Sequence, residues 1–398
     1  MNNIFIDVDY AQVFKHGQKI GGDVFLLSRN PENNQIVCTL SDGLGSGVKA
    51  NVLASLTAHM AHKLSFSPIN LADSAEIIMN TLPVCKERKI SYSTFTIADI
   101  RYKEHMENIS VNLVEYDNPD SLRFYGSEPV KWERRHTKLS RDAAFKEETV
   151  NNSEFTLSFG ERLIMFSDGV TQSGLGKSLP LGWRLSGVRD FISQEIARDP
   201  DISSRELSSS IVQHACYLDG MKSKDDITAV VVYIRKPRRT LIVTGPPFSM
   251  ESDKILGDKV KAFDGKKIVS GGTTALIVSK QLGVKVSVDL SCWSPDVPPA
   301  SKMDGIDLVT EGMLTLSKVA NVLEKKMSVE QLPNDAVKKY VEMLLDSDQV
   351  HFIVGTKINE AHQDPNIPVE IGIRRTIIGR LCSVLENVYL KETSVEYL

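Results

Sequence analysis

The chain has 398 residues, too many for one ordinary hydrophobic core, so two domains are expected. Its 41% apolar and 25% charged residues exclude wholesale disorder and a fibrous architecture, and 47 basic against 51 acidic residues, a formal charge of -4, exclude a surface generally suited to coating nucleic acid. No run of about 18 apolar residues could span a bilayer, and the start MNNIFIDVDYAQVF lacks the basic and apolar regions of a signal peptide. A cytoplasmic protein with no nucleic-acid or membrane partner is expected.

Strand patterns recur along the first part, at 35–41 (QIVCTLS), 90–99 (ISYSTFTIAD), 111–116 (VNLVEY), 163–167 (LIMFS) and 227–234 (ITAVVVYI). Between them apolar residues fall at helical steps, as with Val52, Leu53, Leu56 and Met60, so sheets covered by helices are predicted. His59 and His62 share a helical face, but no third ligand lies within sequence reach, and a partly exposed helix face is the simpler account. Cys38, Cys85, Cys216, Cys292 and Cys382 are scattered without a CxxC pair and read as reduced thiols.

After Arg235 the basic KPRRT, with Pro237, precedes a fresh strand-like LIVT and the turn-forming GPP, which puts the domain change there: 1–236 and 237–398. The second part alternates again, with strands near 285–290 and 350–354 and helices near 313–325, 334–345 and 371–390. The whole therefore reads as a two-domain α/β (α+β) chain whose C-terminal domain is the smaller α/β layer fold.

Four acidic residues sit at turns or strand ends: Asp23 in GGD, Asp42 in SDGLGSG, Asp168 in FSDGV and Asp225 in KSKDDIT. A single Asp-Gly is ordinarily only a turn. Here Asp42 and Asp168 each follow an apolar strand and precede a helical pattern, where glycine lets an ion approach a carboxylate unobstructed. Oxygen-only donors suit magnesium or manganese, and a two-metal site is the inference. Gly43, Gly45 and Gly47 are not a dinucleotide fingerprint, because the third glycine it needs is replaced by Val48.

Taken in order, GGD, SDGLGSGVKAN, SYSTFTIADI, FSDGV and DDITAVVV make about residues 4–235 resemble the metal-dependent protein phosphatases of type 2C, in the bacterial branch typified by the sporulation stage II protein E (SpoIIE). The resemblance implies an N-terminal α-β-β-α sandwich of two packed antiparallel sheets flanked by helices, hydrolysing phosphoserine or phosphothreonine of a partner protein. It implies two Mn2+ or Mg2+ ions, with Asp42 bridging both and the Gly43 carbonyl ligating the first. Asp168 and Asp225 would hold the second, and Asp23 would contact the site directly or through water. Asp225 is assigned rather than Asp226 because the family's aspartate is the first of its D-[ND]-x-T motif. Lys15, upstream of Asp23 in FKHGQKIGGD, is a candidate to meet the substrate phosphate, and His16 a weaker one. Leu44 stands where eukaryotic members usually carry a histidine, which leaves the general acid unassigned. In this branch the usual substrate is a phosphorylated anti-anti-sigma type regulator.

In the second domain Gly271, Gly272, Thr273 and Thr274 lie between a short strand and a helical pattern, a turn able to offer amides and hydroxyls to an anionic small molecule. The alternative there is a threonine-capped turn. SPDVPPASKMDGIDLVTEG is predicted to be an extended loop ahead of a helix. GGTTA and GIDLVTEG resemble strings in companion domains of some SpoIIE-like phosphatases, whose role is unassigned. Two further functions are consistent with the chain: a catalytically weak phosphatase-fold binding module, and a small-molecule phosphoesterase.

Overall fold

A computed structural model describes residues 4–45, 47–67, 69–82, 93–103, 109–139, 148–289, 294–357 and 367–398. It comprises two compact units, Met1–Lys236 and Pro237–Leu398. Cys85, Cys292 and residues 90–92 of the second expected strand region lie outside the described residues.

The first unit opens with β1 (Phe5–Val13), β2 (Asp23–Asn30), β3 (Gln35–Gly43), α1 (Val48–Ser65) and α2 (Leu71–Thr81). Then come β4 (Ser93–Tyr102), β5 (Ile109–Tyr116), β6 (Leu122–Tyr125), β7 (Glu128–Pro129), β8 (Arg135–Leu139), β9 (Glu148–Leu157) and β10 (Glu161–Phe166). It closes with α3 (Asp168–Gln172), α4 (Arg184–Arg198), α5 (Ser204–Leu218) and β11 (Ile227–Arg235). The strands form two antiparallel sheets, ordered β1-β11-β10-β6-β7 and β2-β3-β4-β5-β9-β8.

Side-chain alternation explains the layering. In β11, Ile227, Ala229 and Val231 pack with Val188, Ile192, Leu207 and Ile211 of α4 and α5, while Val230, Val232 and Ile234 turn to the opposite face. There they meet Ile36, Cys38 and Leu40 of β3, whose Val37 points outward to Ala61 of α1 and Ile78 of α2. A strand apolar on both faces is buried on both, and two such sheets stack into an α-β-β-α sandwich. The first strand escapes sequence reading because FIDVDYAQV buries only Phe5 and Ile6, yet it pairs along its whole length with β11, Phe5 opposite Arg235 and Val13 opposite Ile227.

The second unit contains β12 (Arg239–Thr244), α6 (Met250–Ala262), β13 (Lys266–Ser270), α7 (Gly272–Leu282), β14 (Val286–Asp289), β15 (Ala300–Met303) and β16 (Ile306–Thr310). It ends with α8 (Met313–Glu324), α9 (Ala336–Asp346), β17 (Gln349–Val354), α10 (Ile367–Asn387) and β18 (Glu392–Tyr397). The sheet runs β14-β15-β16-β13-β12-β17-β18, with the five strands from β16 to β18 parallel. Those five are ordered third, second, first, fourth, fifth along the chain, a doubly wound sheet. Leu256 and Val260 of α6 and Val278 of α7 cover one face, and Leu316, Tyr340 and Leu381 of α8, α9 and α10 cover the other.

The segment expected to be an extended loop differs. Ala300–Met303 and Ile306–Thr310 pair antiparallel around Asp304 and Gly305, and Gly305 has φ +78°. An Asp-Gly turn of this kind closes a hairpin, which outweighs the upstream prolines. Among the described residues no helix is long and apolar enough to cross a membrane.

Candidate metal centre and its cleft

Antiparallel pairing gathers the acidic residues. Asp23 begins β2 directly opposite Asp42 near the end of β3. Asp168 follows β10 and Asp225 precedes β11, and these neighbouring strands run in opposite directions, with Phe166 opposite Ala229. The junction is sealed by the Ser167 amide donating to the Thr228 carbonyl at 3.0 Å and the Thr228 amide donating to Ser167 Oγ at 3.1 Å.

Asp23 is buried, and its Oδ2 accepts from Thr228 Oγ1 at 2.6 Å, while Thr228 Oγ1 accepts from Gln12 Nε2 at 3.1 Å. Its Oδ1 is buried without a hydrogen-bond partner. Burial pushes the Asp23 carboxyl from 3.8 to about 7; the hydrogen bond from Thr228 and the nearby Ser167 hydroxyl oppose the rise, and the charges of Asp226 and Asp168 add to it. Asp42 is raised well above the usual carboxylate range by burial and then by Asp23, Asp168, Asp225 and Asp226. Asp168 is raised by burial and by Asp225, against hydrogen bonds with Asp42 and Gln172, whose Nε2 donates to Oδ2 at 2.7 Å. Asp225 is raised by burial, which Lys15 opposes from 3.9 Å.

Asp226 has a different task. Its Oδ1 accepts from the Lys15 amide at 2.8 Å and its Oδ2 from the Gly22 amide at 2.5 Å, so it clamps the loop from β1 to β2 over the site. Asparagine at each position separates the roles. Asp225→Asn is expected to weaken manganese binding at least about tenfold with little change in melting temperature. Asp226→Asn, which loses charge-assisted acceptors for two amides, is expected to destabilise the first unit by about 1 to 3 kcal/mol. Calorimetry and thermal melts of both variants check this, and the reverse pattern would transfer the ligand role to Asp226.

An oxygen-only set of mutually repelling carboxylates with one orphaned buried oxygen fits a hard divalent cation. Glycine lets the backbone pack closely around the carboxylates. A Cβ on Gly22 would lie 3.3 Å from the Gly43 carbonyl oxygen and 3.2 Å from Asp226 Oδ2, and one on Gly43 would lie 2.1 Å from the Ala50 carbonyl oxygen of α1. Among the described residues no three His, Cys, Asp or Glu side chains form a group already arranged to hold an ion.

Beside these residues opens a cleft of about 680 Å³, lined by Asp42, Asp168, Asp117, Asn118, Gln172 and Arg184 among others. Leu44 also lines it and has no proton to give. Lys15 lies by Asp225 and outside the lining, and His16 is exposed, held through its amide to the Ser223 carbonyl at 2.9 Å. His59 is exposed, and His62 packs edge-on against Phe66, apart from the carboxylates. Thr228 was within reach of sequence reading, as the threonine of DDIT. Gln172, Asn118 and Arg184 carry no comparable signal.

In the second unit Gly271 (φ +120°) is the N-cap of α7, with no side-chain cap. Its amide donates to the Thr310 carbonyl at 2.9 Å; Thr273 is exposed and Thr274 buried. The turn stands at the end of β13, one strand away from the switch point between β12 and β17, where ligands of doubly wound sheets usually sit. At that switch point a Cβ on Gly355 would fall 2.2 Å from the Pro246 carbonyl oxygen, so the two loops approach each other closely there.

A family model described as Stage II sporulation protein E (SpoIIE) matches residues 32–235. A search of curated proteins found no match. Among solved structures, the phosphatase domain of the cell fate determinant SpoIIE from Bacillus subtilis is 18% identical, the match covering 59% of this chain and 95% of that one with a TM-score of 0.43. The RsbU and RsbW domains of a Mycobacterium tuberculosis protein are 12% identical over 65% of this chain and 68% of theirs, with a TM-score of 0.43. RsbX in complex with magnesium is 18% identical over 58% of this chain and 100% of its own, with a TM-score of 0.40.

Proposed function

The chain belongs to the SpoIIE family of PP2C-type protein phosphatases, hydrolases of phosphate esters, and we propose that it removes phosphate from serine or threonine of a partner protein. The observation that carries this reading is the set of four aspartates gathered from strand ends of the two sheets, all raised and one with an orphaned oxygen. Asp23, Asp42, Asp168, Asp225 and the Gly43 carbonyl would hold two Mn2+ or Mg2+ ions. Bound there, the ions supply an activated water and neutralise charge on the phosphoryl oxygens.

The protein's own groups do the rest. Thr228 and Gln12 fix the Asp23 carboxylate, Gln172 orients Asp168, and Asp226 holds the glycine loop in place. Lys15 is close enough to Asp225 to balance its charge and to meet an incoming phosphate. With Leu44 lining the cleft, the departing alkoxide takes its proton from water. The substrate is a phosphorylated regulator of the anti-anti-sigma type, met in the cytoplasm. Hydrolysis of phosphoserine and phosphothreonine peptides should require manganese or magnesium and stop with EDTA. A chain that binds such peptides but turns none over with any divalent ion is instead a binding module. Turnover of phosphorylated metabolites in preference to peptides would make it a small-molecule phosphoesterase.

The second unit, on this proposal, binds an anionic small molecule at Gly271, Gly272, Thr273 and Thr274, with binding that alters phosphatase output. The uncapped amide end of α7 and the exposed Thr273 support the reading. A Cβ on Gly272 meets nothing within 4 Å, so Gly272→Val should fold normally. Calorimetry against nucleotides and sugar phosphates should show binding by the wild type, weakened in Gly272→Val; equal binding by both, or none by either, removes the site.

A further inference from the structure

We propose that Arg184 binds the substrate's phosphoryl group, holding its non-bridging oxygens across the cleft from Asp42 and Asp168. The inference rests on the phosphatase reading and adds to it, besides Lys15, a residue inside the cleft that receives the phosphate. Arg184 is the one cation among the described residues lining the cleft, whose walls otherwise carry Asp42, Asp117, Asp120 and Asp168. A phosphate monoester entering so acidic a cleft needs a fixed positive group besides any bound ions. The planar guanidinium fork matches two phosphoryl oxygens at once.

The backbone singles out the same residue. Arg184 has φ +61° at the first position of α4, and Asp117 across the cleft has φ +54°. These are two of six non-glycine residues with positive φ among the described residues, and both line this one cleft. A side chain makes that conformation costly, so it persists only where surrounding structure imposes it. Here the imposing structure is visible. Gly182 (φ +72°) sits so close to α3 that a Cβ would lie 3.0 Å from the Thr171 carbonyl oxygen. The Trp183 amide donates to the Ser173 carbonyl at 2.9 Å, and the Trp183 ring packs 4.8 Å from that of His214 and 5.4 Å from that of Phe191.

The turn before Arg184 is thus lashed to the short helix that begins with Asp168. That fixes the arginine's Cα relative to the carboxylate. Its side chain, by contrast, is exposed and makes no hydrogen bond or ion pair with the described residues. A rigidly mounted, unengaged cation beside the acidic centre is what phosphate capture requires.

The test uses the full chain with manganese and compares wild type with Arg184→Ala, Arg184→Lys and Arg184→Gly. Arg184→Gly relieves the positive φ, so it should melt at or above the wild-type temperature and report loss of the side chain without loss of fold. Arg184→Ala and Arg184→Gly should raise KM about ten- to a hundredfold for both a phosphopeptide and p-nitrophenyl phosphate, with kcat nearly kept and Arg184→Lys intermediate. Inhibition by inorganic phosphate should weaken in proportion, while manganese affinity stays unchanged. Unchanged KM and phosphate inhibition in an active enzyme would overturn the inference and leave the phosphatase reading standing. A KM rise confined to the phosphopeptide would also overturn it, because the arginine would then read polypeptide. If the wild type hydrolyses neither compound, the phosphatase reading falls. Calorimetric binding of inorganic phosphate to the manganese-loaded protein then decides the role of Arg184: weaker binding in Arg184→Ala upholds it, equal binding ends it.

Discussion

Asp42→Asn is expected to lower manganese-dependent phosphatase turnover at least about a hundredfold while the chain still unfolds cooperatively. Asp42 faces Asp23 across β2 and β3 and feels four neighbouring carboxylates, those of Asp23, Asp168, Asp225 and Asp226. It is therefore the position where one charge bears on the whole centre. The same substitution removes a repelling group, so in EDTA the variant should melt at a higher temperature than the wild type. Lower activity with higher metal-free stability is hard to obtain by damaging a fold, which makes the pair of readouts decisive. Near-normal turnover would remove Asp42 from the centre.

The second large effect is an inverted pH dependence of stability without metal. Asp23 titrates at about 7 in the folded chain against an ordinary 3.8, chiefly because it is buried. Between those values the folded state binds more protons than the unfolded one, so stability falls as pH rises and the loss is complete above about 7. Asp42, Asp168 and Asp225 are raised too and act in the same direction. In EDTA the first unit should therefore melt at progressively lower temperature from about pH 4 to pH 8, a total loss on the order of a few kcal/mol. Manganese at the upper end should reverse the loss and release protons, visible as binding heat that changes with the buffer's own ionisation heat. A flat or rising melting temperature in EDTA would show that the four carboxylates are not held in the buried, repelling arrangement described.

How much of this could be read beforehand follows from burial. Regions 35–41, 163–167 and 227–234 were legible as strands because both faces are covered and the apolar run is unbroken. β2 and β9 were not, since DVFLLSRN and ETVNNSEFTL alternate weakly and bury few side chains. In the second unit, helices expected at 313–325 and 334–345 end within about two residues of Met313–Glu324 and Ala336–Asp346, the latter started by Asp335 accepting from the Val337 and Lys338 amides. The acidic residues of the centre announce themselves by their Asp-Gly and Asp-Asp settings. Gln172, Asn118 and Arg184 are ordinary surface types, and only the clamp between Gly182 and α3, together with the loop after β5, carries them to the cleft.

The pairing of β1 with β11 has a consequence for how the protein is made. Residues 5–13 leave the ribosome more than 200 residues before 227–235, their partner in the sheet, so β1 waits through the synthesis of the rest of the first unit. Asp23 meets Thr228 under the same delay, and no nascent chain shorter than this can assemble the acidic centre. With contacts this distant in sequence the closing step is slow. The growing polypeptide meanwhile presents β10 with an open edge on its β11 side, a surface for chaperones until the last strand inserts and seals it.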